Sequence, residues 1–323
     1  MATSQERYEV IETIGSGATS RVHKARDNVI GRTVALKTFV QGFGSRDLQQ
    51  QFLREAQIVG GLSHPNIVAL YDVGTNQDGN PYFVMEYVEG KTLDSALLAA
   101  PLPLQLVGRW GGDLATALSQ AHRAKIIHGD IKPENILVTS DDQVKLGDFG
   151  IARMVNQVSA SGTVMGTPAY LSPEQILAKP QDSRTDIFSL GIVLYQMATG
   201  VRPFDGDSVG AVCAQIISST PIPPSARNPV LPPGFDQVVM RCLSKNAEDR
   251  FLTAESLAAA LYPFARNQSQ PQAEPQSQTQ PRLQRRARPR VGVTTTQIHA
   301  NQSWWPFDGK SPGPSLQELS RFF

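Results

Sequence analysis

The feature that most constrains the fold of this chain is a change of hydrophobic period near Thr92. Before it, apolar residues alternate in short β-branched runs at 8–14, 21–26 and 33–39, each broken by Gly, Asp or Asn. Ser45 stands where it would cap a helix in which Leu48, Phe52, Ala56 and Val59 recur at helical spacing. Two further strands are expected around 68–73 and 82–87. After Thr92 the period turns helical. Leu114, Leu118 and Ala121 repeat on one face, as do Ile187, Leu190 and Leu194, with short β-like pieces at 136–138 and 144–146 between them. The expectation is an α+β chain in which a small, mainly antiparallel lobe precedes a larger helical one, with a cleft between.

Of the 323 residues, 40% are hydrophobic, enough for two modest lobes with chain left over. The net charge of +1 gives no global field that favours nucleic acid, so no specific nucleic-acid partner is expected. Cys213 and Cys242 lie far apart without metal-ligand spacing and read as buried free thiols. The opening MATSQERYEV lacks the basic start and apolar run of a secretory leader, and no apolar run reaches the roughly 18 residues that span a bilayer. The expected location is cytoplasmic.

Composition shifts near Phe264. Residues 265–303, rich in Gln and Pro and then basic through Arg282, Arg285, Arg286, Arg288 and Arg290, read as a disordered linker. Thr294, Thr295 and Thr296 are candidate modification sites for a phosphothreonine-binding partner. Residues 304–323 carry Trp304, Trp305 and Phe307, then a Ser315–Glu318 capping box ahead of Leu316, Leu319, Phe322 and Phe323, a pattern that suits a docking tail.

Several short segments carry chemistry. Gly15-Ser16-Gly17-Ala18 lies between the first two expected strands, where glycine lets backbone N–H groups approach phosphate oxygens; alone, such a pair is an ordinary hairpin turn. Lys37 points inward from the third strand, and Glu55 on the next helix is its expected partner, since neither charge is stable there alone. The run His128-Gly129-Asp130-Ile131-Lys132-Pro133-Glu134-Asn135 precedes Asp148-Phe149-Gly150. Phosphoryl transfer needs a hard cation with oxygen ligands, which Asn135 and Asp148 offer, and a carboxylate beside the acceptor hydroxyl, which Asp130 offers. Lys132 can stabilise charge on the transferring group. A calcium loop fits poorly, because no EF-hand spacing of carboxylates surrounds Asp148.

Taken together, these motifs resemble the protein-kinase signature set across about residues 8–262: glycine loop, V-A-I-K at Val34-Ala35-Leu36-Lys37, H-R-D-x-K-x-x-N, D-F-G and A-P-E. The segment Gly166-Thr167-Pro168-Ala169-Tyr170-Leu171-Ser172-Pro173-Glu174-Gln175 is most similar to the eukaryotic-like serine/threonine kinases of bacteria. The resemblance implies a bilobal kinase fold over 8–264, with an N-lobe to about 87 and a C-lobe from 88. It implies ATP with Mg²⁺ (or Mn²⁺), and protein substrates with Ser or Thr acceptors. Ile14, Val22, Ala35 and Leu137 would enclose adenine, with Met85 as gatekeeper and Glu86 and Val88 offering hinge backbone atoms. Val59, Leu70, His128 and Phe149 would stack between the lobes. Glu174 would pair with Arg250, and Asp186 would brace the catalytic loop. Ser159, Ser161, Thr163 and Thr167 fall in the implied activation segment, where Thr167 favours short alcohols over tyrosine.

Two positions depart from the pattern. Ser20 replaces the third glycine, and Gly129 stands where the family has an arginine that reads an activation-segment phosphate. Dependence on that phosphorylation is expected to be weaker here. The rival readings are an ATP-binding pseudokinase scaffold and a small-molecule kinase; the retained Lys37, Asp130 and Asp148 oppose the first, and the 166–175 peptide platform opposes the second.

Overall fold

The computed structural model describes residues 7–17, 20–40, 46–149 and 168–266, without the side chains of 46–49, 51, 52 and 55. Close contacts group the described residues as one unit. The Ser45 cap, Ala18, Gly150, the whole of 151–167 and everything after Arg266 lie outside the described residues.

The first lobe is built from β1 (Tyr8–Ser16), β2 (Ser20–Asp27), β3 (Arg32–Phe39), α1 (Arg46–Gly60), β4 (Leu70–Thr75) and β5 (Pro81–Glu86). Its five strands form one antiparallel sheet in the order β1-β2-β3-β5-β4. Opposed residues in such a sheet share a face, so register assigns the sides. Gly15 faces Val22, Val22 faces Lys37 and Lys37 faces Phe83, while Ala35 faces Met85. This row packs with Ala56 of α1 into one core. The opposite face buries Tyr8, Ala25, Val34, Leu36, Tyr82 and Val84.

The second lobe opens with β6 (Gly90–Thr92), a strand the sequence pattern does not announce, followed by α2 (Leu93–Leu97) and α3 (Leu104–Arg123). A 3-10 turn, Pro133–Asn135, leads into β7 (Ile136–Thr139) and β8 (Val144–Leu146), which complete a three-stranded sheet with β6. Then come a 3-10 turn at Pro168–Tyr170, α4 (Pro173–Ile176), α5 (Arg184–Thr199), α6 (Val209–Ser218), α7 (Pro224–Arg227), α8 (Pro233–Cys242) and α9 (Ala254–Ala265). The bilobal α+β expectation therefore holds for the described residues.

One reading changes. Ile187, Leu190 and Leu194 suggest a helix buried along one face, yet every residue from Thr185 to Tyr195 is buried. Helix α5 runs through the middle of the lobe and is covered on all sides, as expected of a helix apolar all round. Cys242 is buried as expected, and burial pushes its thiol up; Cys213 is only half-buried.

Helices approach closely where glycine permits it. A Cβ on Gly108 of α3 would lie 2.6 Å from the Ala265 backbone nitrogen, and one on Gly191 of α5 would lie 2.6 Å from the Cys242 Cβ. Gly112, also on α3, has nothing within 4 Å. Gly108→Ala should therefore cost about 1–3 kcal/mol through overpacking against backbone that cannot yield. Gly112→Ala should be neutral or stabilising by up to about 1 kcal/mol. Urea unfolding of the two variants checks the contrast.

Candidate active site

Lys37, buried on β3, places Nζ 2.7 Å from Oδ1 of Asp148. Glu55, the partner expected from sequence, has its backbone in α1, but its side chain lies outside the described residues. Asp148 has φ of +58°, a conformation uncommon for a residue with a side chain. Its neighbours fix it there. Gly147 N–H donates to Asn135 O (2.9 Å), Gly147 O accepts from His128 Nε2 (2.8 Å), and Phe149 is buried with its ring edge-on to His128 at 4.7 Å.

The loop between α3 and β7 is equally determined. Asp186, fully buried on α5, accepts from His128 N (2.9 Å), Gly129 N (2.8 Å) and His122 Nε2 (2.8 Å). His128 Nε2 donates to a carbonyl, so its Nδ1 is free to accept from Asp130 N at 3.2 Å. Asn135 Nδ2 donates to the Asp130 backbone oxygen (2.8 Å) and to its Oδ2 (2.9 Å). Lys132 Nζ donates to both carboxylate oxygens of Asp130, at 3.0 and 2.8 Å. Asp130 and Asp148 are thus joined through Asn135 and Gly147, and Lys37 reaches the same place from the other lobe.

Val22, Ala35 and Met85 lie on the inner face of the sheet, and Ile14 and Gly15 lie near the β1 end. Ser16 ends β1, and Gly17 N–H closes the turn onto Ser20 O at 2.8 Å. Leu137 of β7 is half-buried and shares a face with Lys145. Lys145 bonds the Glu86 carboxylate at 2.9 Å, a link between β8 and the end of β5 that sequence reasoning missed. Val88, just past β5, is half-buried. Val59, Leu70, Met85, Asp148 and Phe149 help line a cavity of about 20 Å³, and the His128 ring packs edge-on against Phe149. Ser159, Ser161, Thr163 and Thr167 lie outside the described residues.

Below the cleft, the guanidinium of Arg250 is wholly buried. It meets Glu174 through two bonds of 2.8 and 2.9 Å and gives its other protons to carbonyls of Ser244, Arg184 and Lys245. Thr185 Oγ1 also donates to Glu174 (2.8 Å). Burial alone pushes the Glu174 carboxyl up, but the Arg250 bonds and charge outweigh it and hold it below the ordinary carboxylate value. Ser189 Oγ donates to Tyr170 O (2.7 Å), and Tyr170 OH donates to Gln196 Oε1 (2.6 Å). Burial is the main reason that the Tyr170 phenol is pushed up to about 12.

As a cation site, the donor set is sparse. Among the described residues no group of three His, Cys, Asp or Glu could enclose a metal. One carboxylate (Asp148) and one amide (Asn135) suit Mg²⁺, which is usually held by one or two carboxylates plus phosphate and water. No described helix is long and apolar enough to cross a membrane.

A strand-rich lobe, a helical lobe and two lysine–aspartate pairs meeting between them define the bilobal phosphotransfer class of fold. The chain belongs to the protein kinase domain family, whose model matches residues 8–262. It is 43% identical over 266 residues to the serine/threonine-protein kinase PknB of Mycobacterium tuberculosis, covering 79% of this chain and 42% of that protein. It is 41% identical over 259 residues to a probable serine/threonine-protein kinase of Clostridium perfringens, covering 79% and 38%. The chain thus spans about two-fifths of the length of these curated relatives. Among solved structures, the PknI kinase domain of Mycobacterium tuberculosis superimposes with a TM-score of 0.65 at 25% identity, covering 82% of this chain and 98% of that one.

Arg250→Met should lower stability by about 3–5 kcal/mol, because it leaves the Glu174 carboxylate buried without its cation. A carboxylate whose folded pKa is depressed contributes stability above its unfolded pKa, and that contribution is lost as pH falls through the folded value. The gap between wild type and variant should therefore be widest near pH 7 and narrow below about pH 4.3. Thermal unfolding across that range measures it.

Proposed function

We propose that this chain is the catalytic unit of a serine/threonine protein kinase, moving the γ-phosphoryl group of ATP to Ser or Thr hydroxyls of other proteins in signal transduction, with autophosphorylation. The observation that carries this reading is the junction of Lys37, Asp148, Asn135, Asp130 and Lys132 between the lobes. The names of the relatives support the same class of acceptor.

In this reading Lys37 orients the α- and β-phosphates, and the Gly15–Ser16–Gly17–Ala18 turn covers them with backbone N–H groups. Ile14, Val22, Ala35, Met85 and Leu137 enclose the base, against backbone atoms of Glu86 and Val88. Asn135 and Asp148 would hold Mg²⁺ or Mn²⁺, which when bound neutralises phosphate charge. Asp130, held by Asn135 and by the His128 ring, accepts the acceptor's hydroxyl proton. Lys132 lies on Asp130 and steadies charge on the group in transfer. Glu55, on the helix beside β3, would hold Lys37 in this orientation. Cytoplasmic location, docking through residues 304–323 and a phosphothreonine-binding partner complete the proposal.

Gly129 adds regulation by absence. With no arginine to read a phosphate, the loop rests on Asp186 and main-chain bonds instead. The pseudokinase alternative predicts nucleotide binding without transfer.

Asp130→Asn should lower transfer from γ-labelled ATP to a generic protein acceptor by roughly 10²–10⁴-fold, with nucleotide affinity retained. Wild-type protein that binds ATP and Mg²⁺ yet labels neither itself nor any polypeptide would favour the scaffold reading. Joint replacement of Ser159, Ser161 and Thr163 by alanine should leave most of the turnover intact; near-complete loss would refute the reading of Gly129.

A further inference from the structure

Four sets of bonds locate the Asp130 backbone. Three arise within the catalytic loop or on α5: Asp186 on the N–H groups of His128 and Gly129, the His128 ring on Asp130 N, and Asn135 on Asp130 O. The fourth comes from elsewhere. Gln175 Nε2 donates to the Gly129 carbonyl at 2.7 Å, from α4 at the end of the peptide platform.

The orientation of this amide is fixed by its partners. Gln175 Oε1 accepts from Ser172 N at 2.8 Å, and Gln175 N donates to Ser172 Oγ at 3.4 Å, which makes a reciprocal capping box at the start of α4. A flipped amide would set oxygen against oxygen at Gly129 and NH₂ against N–H at Ser172. The preceding residue, Glu174, is anchored separately by buried Arg250. Adjacent side chains thus tie the platform to buried Arg250 and to the catalytic loop.

Gly129 makes this bond matter more. Its φ is +72°, a conformation glycine adopts without penalty, and it has no side chain through which to be held. Its amide is its only handle. Asp186 grips the N–H, and Gln175 grips the carbonyl of the peptide that ends at Asp130 N.

We propose that Gln175 is a positioning residue for phosphoryl transfer: it couples the seating of the peptide platform to the orientation of Asp130. This deepens the kinase reading and rests on it. The bond is made to a main-chain atom, so the coupling does not need a phosphate on the activation segment. Its effect should fall on turnover of a bound peptide, while nucleotide affinity, which Lys37 and the sheet govern, stays unchanged.

Gln175→Glu isolates the donor. The carboxylate still accepts from Ser172 N but turns an oxygen toward the Gly129 carbonyl and cannot donate. Near pH 8, kcat for a Ser/Thr peptide should fall roughly 10- to 100-fold, with KM for ATP within about twofold of wild type. Gln175→Met, which can neither accept nor donate, should show at least the same loss in kcat, again with KM for ATP unchanged. A Gln175→Glu protein with wild-type kcat, or one whose loss falls equally on KM for ATP, overturns this inference while leaving the kinase reading intact. A folded wild type that phosphorylates no peptide overturns both.

Discussion

The active-site geometry depends on one buried carboxylate. Asp186 sits inside α5 with no exposure to water, a placement that costs several kcal/mol unless its oxygens are saturated with donors. Three donors meet it: the N–H groups of His128 and Gly129, and the His122 ring. Two of these are backbone, so satisfying the charge fixes the path of the chain immediately before Asp130. The helix in turn cannot shift, because it is packed on all sides and a Cβ at Gly191 would already strike Cys242. Rigid helix, buried charge and loop path form a single constraint.

From that constraint the rest of the site follows by short steps. With His128 held, its ring reaches back to Gly147 and across to Phe149, so the segment bearing Asp148 is located relative to Asp130. Asp148 is left at a positive φ, a strain of order 1–3 kcal/mol that persists only where the surroundings over-determine it. They do so here, through Gly147 on one side, buried Phe149 on the other and the Lys37 ammonium at its tip. Lys37 comes from the other lobe. Its bond and the pairing of Lys145 with Glu86 tie the small sheet to the helical lobe across the cleft.

Much of this was legible in the sequence, for a physical reason. The central strands β3 and β5 feed two separate cores, one on each face of the sheet, and the same register turns Lys37 and Ala35 to one side. Glu174–Arg250 and Asp186 follow from the family resemblance, and the geometry places each where it was expected. What stayed hidden depends on register and long-range pairing. Strand β6 is three residues long and gains its identity only beside β7. The one-sided reading of α5 failed because three apolar positions mark a face without excluding others. Glu86 and Lys145 each look like ordinary surface charges until the lobes bring them together.

Gly129 shows why a departure from a motif is not a gap in a machine. An arginine there would read a phosphate through its side chain, but any side chain must tolerate the left-handed backbone that the Asp186 bonds impose. Glycine removes that conflict and leaves the peptide unit itself as the point of attachment. Main-chain amides cannot be tuned by modification, so control of the loop passes to whatever grips them. In this chain those grips are a buried aspartate and a glutamine on the peptide platform. The first is permanent. The second comes from the helix that ends the peptide platform, so the position of that helix and the path of the loop before Asp130 are set together.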